Sequence, residues 1–405
     1  NSSFEFLPHD NRNVLGSVSN KNTEVIKIGA LLGLSGISSQ RGESQKAALE
    51  VAVKDANNNL YRNNISIELT IEDTQRDPNV ALQKLKSLEY KGIKIIIGPQ
   101  TSAEVQKIKD YAYQHGILLI SHSSTAPSLS KSNDSVFRLV LNDIYQADAL
   151  VNRMWEDGVR IVVPIWRDDV WGENLYKYTK NKFEEKNGTV LNVTGYKPLI
   201  GKFASSLHRI NFIMWDQDLK VLSSHVSEAI SKYPGKKVAV YIVSMDEIVP
   251  ILIQAQNHPV LGTVNWYGSD GSAQNERILK NVEAAQFAIK TNFSNPLLGV
   301  GEDYRVKNLE SEIESKIGRN PDPYYANAYD ALQIAALTEN ASKGIQDIQI
   351  IKQNLYQISH SYKGLTGNTS LNEDGDLKDG FYDFWRINET NDKSGYEWVK
   401  VKDST

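Results

Sequence analysis

The amino-acid sequence predicts an α/β protein made of two doubly wound, Rossmann-like lobes. The chain has 405 residues, which is too long for one ordinary hydrophobic core and suits two lobes. Short apolar strands alternate with amphipathic helices, as in a parallel sheet that helices cover on both faces. This alternation occurs twice, first from residue 25 and again from about residue 160.

The first series begins with an apolar strand at residues 25–32, which a turn with Gly33 and Gly36 ends. The helix that follows carries small apolar residues at helical spacing on one face: Ala47, Ala48, Val51, Ala52 and Ala56. The series then continues as strand 65–72, helix 78–90, strand 93–97, helix 103–115 and strand 117–121.

The second series consists of strand 161–165, helix 174–186, strand 190–194 and the later segments 238–243, 248–256 and 264–267. Residues 201–230 fit at most a helix, and we assign them to the second lobe as an elaboration. Residues 1–24 are rich in Asn and Ser without apolar periodicity, which predicts a flexible tether. Ligands of such sheets bind at the carboxyl ends of the strands.

Composition excludes several classes of function. The net charge is −4 and no long cluster of Lys and Arg occurs, so nucleic-acid binding is not expected. The absence of cysteine excludes thiol nucleophiles, Cys-ligated zinc, iron–sulfur clusters and disulfides. No run of 18 apolar residues occurs, so we expect no membrane-spanning helix.

The glycosylation sequon Asn-x-Ser/Thr is frequent, which favours an exported chain that can carry glycans. The sequons begin at Asn1, Asn64, Asn133, Asn187, Asn192, Asn292, Asn340, Asn368 and Asn388. An Asn-rich sequence also produces some sequons by chance. The first residues lack the apolar core of a signal peptide, so an exported form is expected to have lost its leader.

No catalytic motif stands out. The sequence has no nucleophile elbow, phosphate-binding loop, dinucleotide fingerprint or His-Glu-x-x-His pair. Residues 372–376 carry oxygen ligands that suit calcium, but they lack the length and final Glu of an EF-hand loop. We therefore interpret them as a hairpin turn and His122 as structural. We expect no cofactor, no metal and no enzyme activity.

A series of short motifs, each weak alone, occurs in a characteristic order. Among them are Gly98-Pro99-Gln100-Thr101-Ser102 and Ser123-Ser124-Thr125-Ala126-Pro127; the others lie at 28–36, 40–42, 72–78, 136–138, 169–172, 268–271, 329–331 and 364–376. In this order the chain resembles the type I periplasmic binding proteins of branched-chain amino-acid and amide transporters, the leucine/isoleucine/valine-binding group. The resemblance extends from Ile26 to Trp398.

The resemblance implies a three-strand hinge, with crossings between the lobes near residues 142, 272 and 366. The first lobe would then comprise residues 25–141 and 273–365. The second lobe would comprise residues 142–272 and 366–405.

The resemblance also implies a ligand site that begins on the first lobe. Ser102 opens a helix, where free N–H groups and the positive helix end favour a carboxylate; a plain capping box at residues 101–104 is the alternative. Thr125 would bind the same carboxylate, and the Ser123 carbonyl would accept from the ligand ammonium. Ser124 in the same turn would make the cleft more polar than is usual in the family.

The second lobe would complete the site. Asp270, between two glycines, matches the acid that pairs with the ligand ammonium, and a solvated turn aspartate is the alternative. Trp171, expected in a loop, would cover the ligand. Arg41 could recognise a polar or anionic side chain, although we favour a surface position for it. Ser244 and the adjacent Met245 are weaker candidates for the wall.

Together these features predict a solute-binding protein that closes on a small amino-acid-like ligand and delivers it to the membrane permease of an ABC transporter. We expect a monomer, extracellular or periplasmic, tethered to the cell surface through its N-terminal segment. A ligand-sensing ectodomain of the same fold, a urea or short-amide binder, and an enzyme are the alternatives. The enzyme would need a catalytic set that the sequence does not display, and fold alone does not decide among them.

Overall fold

The computed structural model describes residues 24–36, 39–60, 65–193, 195–197, 208–301, 304–343, 345, 347–392 and 395–401. Of the predicted tether 1–24, only Glu24 lies within the described residues. Of the segment 201–230, which we assigned to the second lobe, residues 201–207 also lie outside the described residues.

Fourteen strands are present in the described residues. They are β1 (Glu24–Leu32), β2 (Ile65–Asp73), β3 (Ile95–Ile97), β4 (Leu118–Ser121), β5 (Val136–Arg138), β6 (Val159–Trp166), β7 (Thr189–Val190), β8 (Lys237–Val243), β9 (Asn265–Tyr267), β10 (Asn295–Leu298), β11 (Lys363–Gly364), β12 (Gly367–Asn368), β13 (Tyr382–Glu389) and β14 (Tyr396–Lys400).

Twelve α-helices connect them in the same part of the chain. They are α1 (Ser39–Leu60), α2 (Pro78–Tyr90), α3 (Ser102–Gln114), α4 (Asp143–Glu156), α5 (Val170–Glu185), α6 (His208–Lys232), α7 (Ile248–Ala255), α8 (Glu276–Leu279), α9 (Val282–Lys290), α10 (Tyr304–Ile317), α11 (Tyr325–Ala341) and α12 (Ile348–Ser361).

The first lobe is built on a parallel five-stranded sheet in the order β2-β1-β3-β4-β5. Alternate residues of β1 point to opposite faces. Ile28 and Ala30 pack under α1 and α11, whereas Leu31 packs under α2 and α3. Because helices cover both faces, strands such as β3 are buried throughout, which explains their continuous apolar sequence.

The second lobe contains a parallel sheet in the order β7-β6-β8-β9 and an antiparallel sheet in the order β10-β13-β14. A backbone bridge between Tyr267 and Ser294 connects them. Helices α4 and α5 cover one face of the parallel sheet, and α6, α7 and α9 cover the other. Helix α6 therefore belongs to the core of this lobe, through buried residues such as Leu219 and Leu222. This α/β architecture with parallel sheets confirms the predicted fold class.

Three chain segments cross between the lobes side by side, at about residues 139–142, 298–301 and 377–381. Their contact is an apolar cluster of Val140, Leu141, Leu298, Tyr324 and Leu377. The Gly299 N–H donates to the Phe381 carbonyl at 2.8 Å and the Leu377 N–H donates to the Arg138 carbonyl at 2.9 Å. These bonds make the hinge a narrow ribbon of adjacent backbones.

The predicted crossing near residue 272 is wrong. Residues 273–298 stay in the second lobe, where Ala284 and Phe287 of α9 enter its core and β10 pairs with β13. The apolar face of an amphipathic helix indicates that the helix is packed, but it does not indicate which sheet the helix covers. The sequence pattern therefore could not assign α9 to a lobe.

The predicted crossing near residue 366 is also wrong. The N–H groups of Leu365 and Thr366 each donate to the Asp330 carboxylate of α11 at 2.9 Å. Asp376 forms a backbone bridge with Arg138 of β5. Residues 363–376 thus remain with the first lobe.

Residues 372–376 form the hairpin turn that the sequence predicted. Leu371 and Leu377 pair across it, and Asn372 Oδ1 accepts from the N–H groups of Asp374 and Asp376 at 3.0 Å each. Across the residues that are described, no group of three or more acidic or histidine side chains could hold a metal. None of the helices described is both long and apolar enough to cross a bilayer.

A buried ion pair joins this turn to β5. Arg138 Nε donates to Asp376 Oδ1 at 2.6 Å and Nη2 donates to Asp376 Oδ2 at 2.7 Å, and both side chains are almost fully buried. The same guanidinium donates to the carbonyls of Ser124 at 3.3 Å and Ala126 at 2.8 Å. One side chain therefore connects β5, the loop after β4 and the turn before the third crossing.

We expect Asp376→Asn to lower the free energy of unfolding by about 3–5 kcal/mol, because it leaves the Arg138 charge buried without its carboxylate. Chemical denaturation followed by circular dichroism measures this. Glu373→Gln is the matched control, since Glu373 is exposed in the same turn and should change stability by less than about 0.5 kcal/mol. Equal effects of the two substitutions would contradict the assigned role of the pair.

Candidate functional site

A cleft between the two lobes contains most of the residues that the sequence singled out. It encloses a cavity of about 30 Å³, which has room for only one or two water molecules. A larger ligand can bind there only if the lobes separate or side chains move. The cleft is lined by Arg41, Gln45, Arg76, Gln100, Thr101, Ser102, Ser123, Trp171, Met245, Asp270, Gly271 and Tyr324.

The amino end of α3 faces this cleft. Thr101 is the N-cap: its Oγ1 accepts from the Glu104 N–H at 3.3 Å, and Glu104 Oε2 accepts from the Thr101 N–H at 3.0 Å. Ser102 is buried, and its Oγ accepts from the Ala126 N–H at 3.1 Å. The capping box at residues 101–104 is therefore present, and Ser102 still lies in the cleft wall. Both are possible because Thr101, and not Ser102, caps the helix.

The serine-rich loop after β4 contributes one residue to the lining. Ser123 lines the cleft and donates from Oγ to the Gln100 carbonyl at 2.8 Å. Ser124 is outside the lining and donates to Ser121 Oγ at 2.7 Å. Thr125 is also outside it: its Oγ1 donates to Asp143 Oδ2 of α4 at 2.9 Å. In this arrangement Thr125 connects the lobes.

Trp171 lines the cleft from the second lobe, but not from a loop as expected. Helix α5 begins at Val170, because the side chain of Asp169 caps it by accepting from the Gly172 N–H at 2.9 Å. Ser244 is fully buried outside the lining, and its carbonyl accepts from Ser269 Oγ at 3.2 Å. The adjacent Met245 lines the cleft instead.

Arg41 is buried in the cleft, so the favoured surface position is wrong. Its Nη2 donates to the carbonyl of Gly271 across the cleft, and Nη1 lies 3.2 Å from Asp322 Oδ2. Its Nε lies 3.7 Å from Asp246 Oδ2. Burial by itself lowers the pKa of Arg41, but the charges of Asp322 and Asp246 raise it above the ordinary arginine value. The first turn of α1 starts where the parallel strands end, which directs residue 41 into the cleft.

Asp270 is a buried carboxyl group on the second lobe. Its Oδ1 accepts from the Gly271 N–H at 2.9 Å, and its Oδ2 accepts from the Tyr324 hydroxyl of the first lobe. Burial raises the pKa of Asp270 above the ordinary aspartate value, although these hydrogen bonds oppose the rise. A cationic ligand group beside it would favour the ionised form.

Asp143 is a second buried carboxyl close to the first. Gln146 bridges the two residues, since its Nε2 donates to Asp143 Oδ1 at 2.8 Å and its Oε1 accepts from the Asp270 N–H at 3.1 Å. Burial raises the pKa of Asp143 well above the ordinary value, and the charge of Asp270 raises it further. Two buried acids thus share one region at the base of the second lobe.

Several lining residues were missed by sequence reasoning. Gln100 and Gln45 form a network under the cleft, in which Gln100 Oε1 accepts from the Gly33 N–H at 2.8 Å and Gln100 Nε2 donates to Gln45 Oε1. His122 Nε2 lies 2.9 Å from the same Gln45 oxygen. Burial, together with the charge of Arg76, lowers the pKa of His122 to about 3. The imidazole is therefore neutral and structural at physiological pH.

Arg76 and Tyr324 were also missed, for different reasons. Arg76 lies in the turn 72–78 that carries the resemblance, so a local signal existed. Tyr324 precedes α11, far from the other site residues in sequence, and no local pattern connects it to Asp270. Only the packing of the two lobes brings Tyr324 and Asp270 together in the cleft.

Comparison with known proteins shows which family this chain belongs to. The model of the family described as "Receptor family ligand binding region" matches residues 44–390. The chain belongs to this family, and its fold is that of the type I periplasmic binding proteins, as the resemblance implied. The description of this family names ligand binding.

Three known proteins illustrate the similarity. An uncharacterized protein of Methanocaldococcus jannaschii is 28% identical and aligns over 98% of this chain and 94% of its own length. The leucine-, isoleucine-, valine-, threonine- and alanine-binding protein of Pseudomonas aeruginosa is 22% identical, over 93% and 91%. The substrate-binding protein LivJ of a branched-chain amino acid transporter from Streptococcus pneumoniae, solved with isoleucine, has a TM-score of 0.68 at 22% identity, over 93% and 100%.

The buried pair Asp143 and Asp270 predicts how the stability of the protein depends on pH. The pKa of Asp143 in the folded protein is raised above its ordinary value of 3.8, so the folded state binds protons more tightly than the unfolded state. Its contribution to stability is present at low pH and is lost as the pH rises through the folded-state pKa. We expect Asp143→Asn to melt at a higher temperature than the original protein near neutral pH and to lose less stability between about pH 4 and pH 8.

Thermal unfolding followed across this pH range measures the effect. Asp148→Asn on the same helix is the control, since Asp148 is half-exposed and its substitution should change stability by less than about 0.5 kcal/mol. A lower melting temperature of Asp143→Asn at neutral pH would contradict the assignment of Asp143 as an unfavourable buried charge.

Proposed function

We propose that this protein captures a small amino-acid-like ligand outside the cytoplasm by closure of the hinge, and delivers it to the permease of an ABC transporter. The observation that carries the proposal is the arrangement of the cleft. The amino end of α3 and two serines lie on one lobe, and a buried carboxyl and a tryptophan lie on the other. A zwitterion needs such a pair of opposite partners.

The ligand carboxylate fits the first lobe. The first N–H groups of a helix have no partner within the helix, and the helix end is positive, so it favours an anion. Ser102 and Ser123 line the cleft beside this end. The Ser102 hydroxyl accepts from the Ala126 N–H and can still donate to an anion. The Ser123 hydroxyl would have to leave the Gln100 carbonyl to do the same. We assign the carboxylate to this position.

The ligand ammonium fits Asp270. A buried carboxylate is costly without a cationic partner, and the raised pKa of Asp270 reflects that cost. Gly271, Tyr324 and Gln146 hydrogen-bond this carboxyl, and since a carboxylate has about four acceptor positions, capacity for an ammonium remains. Trp171 lines the cleft on the same lobe, and an aromatic ring there can stabilise a cation.

Contacts between the lobes support the closing motion. Tyr324 bonds Asp270, Arg41 bonds the Gly271 carbonyl and Thr125 bonds Asp143, each across the gap. A ligand held by both lobes binds the closed form better than the open form, and this difference in affinity shifts the population toward closure. Thr125 thereby serves closure, rather than the direct carboxylate contact that the resemblance implied.

Transport, as opposed to another use of the same cleft, is supported by the relatives. The Pseudomonas protein binds amino acids, and the Streptococcus protein belongs to an amino-acid transporter. We extend this role to the present chain, as a monomer in the extracellular or periplasmic space. Of the predicted sequon asparagines, Asn133, Asn187, Asn192, Asn292, Asn368 and Asn388 are exposed and accessible to glycosylation.

We expect L-amino acids, screened singly by thermal shift, to raise the melting temperature for a restricted set of side chains. A ligand at about 100 times its Kd adds about 2.7 kcal/mol of stability by mass action. For the best ligand, Asp270→Asn should weaken binding roughly tenfold or more in calorimetry, because the ammonium loses its charged partner.

The matched control is the same ligand without its α-amino group. This deaminated acid should bind Asp270→Asn and the original protein with similar affinity, since it has no ammonium to lose a partner. If no amino acid shifts the melting temperature, or if Asp270→Asn binds the best ligand unchanged, the proposal fails.

A further inference from the structure

Arg76 is a largely buried cation in the cleft wall without a close carboxylate partner. Its side chain is 14% exposed. Its Nε lies 3.5 Å from Gln100 Oε1, and its Nη1 lies 3.6 Å from Met245 Sδ. The nearest carboxylate oxygen in the described residues is Asp246 Oδ2, at 3.8 Å from Nη1.

The buried arginines among the described residues are paired more closely than this. Arg138 lies 2.6 Å from Asp376, and Arg167 lies 2.6 Å from Asp169 and 2.8 Å from Glu247. Arg41 lies 3.2 Å from Asp322. Arg76 thus has a more distant carboxylate than these residues. Within the described residues its side chain meets only a thioether and an amide at hydrogen-bond range.

The electrostatic surroundings of Arg76 agree with this geometry. Burial lowers the pKa of Arg76, and the nearby charge of Arg41 lowers it further, while Asp246 and Glu104 act in the opposite direction. Asp246 Oδ2 also lies near Arg41, so the two guanidiniums share it. Glu104 accepts from the Thr101 N–H and hydroxyl through Oε2, while its buried Oε1 makes no hydrogen bond to the described residues. Neither acid belongs to Arg76 alone.

The unmet hydrogen-bonding capacity of the Arg76 side chain itself is that of a donor. A guanidinium carries five N–H donors and no acceptor, and a thioether is a weak acceptor. The Nε of Arg41 also makes no hydrogen bond to the described residues. A primary amide would bring two further donors that need acceptors, whereas a carboxylate brings only acceptors and matches the planar guanidinium with two parallel bonds.

We infer that the preferred ligand carries a second carboxylate at the end of its side chain, and that Arg76 is the residue that selects it. This inference rests on the proposed function, which uses the amino end of α3 and Asp270 for the α-carboxylate and α-ammonium. Arg76 then remains for the side chain, with Arg41 as its cationic neighbour. The ligand class is an acidic amino acid of the aspartate or glutamate type.

Met245 permits this ligand to approach Arg76. It occupies the second-lobe wall against the guanidinium, and a methionine side chain is unbranched and adapts its rotamers easily. Separation of the lobes withdraws this thioether from Arg76, and closure over a carboxylate replaces a weak acceptor by a charged one. The first lobe can therefore present Arg76 to an arriving anion.

The first experiment uses the original protein and calorimetric titration with L-glutamate, L-aspartate, L-glutamine, L-asparagine and L-leucine. We expect an acidic amino acid to bind roughly tenfold to hundredfold more tightly than its amide and than leucine. Equal or tighter binding of the amides or of leucine overturns the inference but leaves the proposed function standing. If none of these or any other amino acid binds, both fail together.

The second experiment assigns the selection to Arg76. Arg76→Gln should weaken the acidic ligand by roughly tenfold to hundredfold and its amide by less than about threefold, so that the preference disappears. Arg76→Lys, which keeps the charge but loses the planar pair of donors, should retain part of the preference. An unchanged preference in Arg76→Gln overturns the role of Arg76.

Arg160→Gln is the matched control, because it removes an arginine that stacks on Trp155 outside the cleft. It should leave both affinities unchanged. Thermal unfolding of each variant confirms that it is folded. Should Arg76→Gln not fold, the ligand series on the original protein and the Arg76→Lys variant still decide the question.

Discussion

The architecture depends on one buried guanidinium, that of Arg138. It forms a bidentate ion pair with Asp376 and also holds the carbonyls of Ser124 and Ala126. These contacts fix the loop that carries Ser123 into the cleft, and they fix the turn that leads into the third crossing. A buried pair of this kind contributes little net stability compared with an apolar replacement. Its effect is on position, because one side chain contacts both the loop after β4 and the turn before the third crossing, and so holds them next to β5, which leads into the first crossing.

The hinge and the cleft share a residue as well. Tyr324 belongs to the apolar cluster that joins the three crossings, and its hydroxyl bonds the carboxylate of Asp270. A group that binds Asp270 competes with this hydroxyl or reorients it. Occupancy of the cleft is therefore coupled to packing at the hinge through one side chain, which is the physical requirement for a ligand to bias opening and closing.

Local patterns in the sequence predict most elements, because each needs only its own apolar periodicity and caps; α2 was predicted with its observed ends. The position of Ser102 and Ser123 at the cleft follows from their place after parallel strands, whereas their ligand roles were implied by the resemblance and stay predictions. Properties that depend on which elements meet were not predictable. The burial of Arg41 needs carboxylates that lie more than 200 residues away in the chain, and the contact of Tyr324 with Asp270 needs both lobes.

The lining of the cleft explains how one fold can serve different ligands. An aliphatic side chain needs an apolar pocket, which releases water at about 25 cal/mol per Å² of buried apolar surface. Here the wall offers Trp171, Met245 and Tyr324 as its large apolar groups, and the rest of the wall is largely polar and includes two arginines and two glutamines. Burying a leucine against these polar groups would strip them of water without replacing their hydrogen bonds, at a cost that offsets the apolar gain. The backbone thus resembles that of leucine-binding proteins, while these four polar side chains favour a ligand that can bond to them.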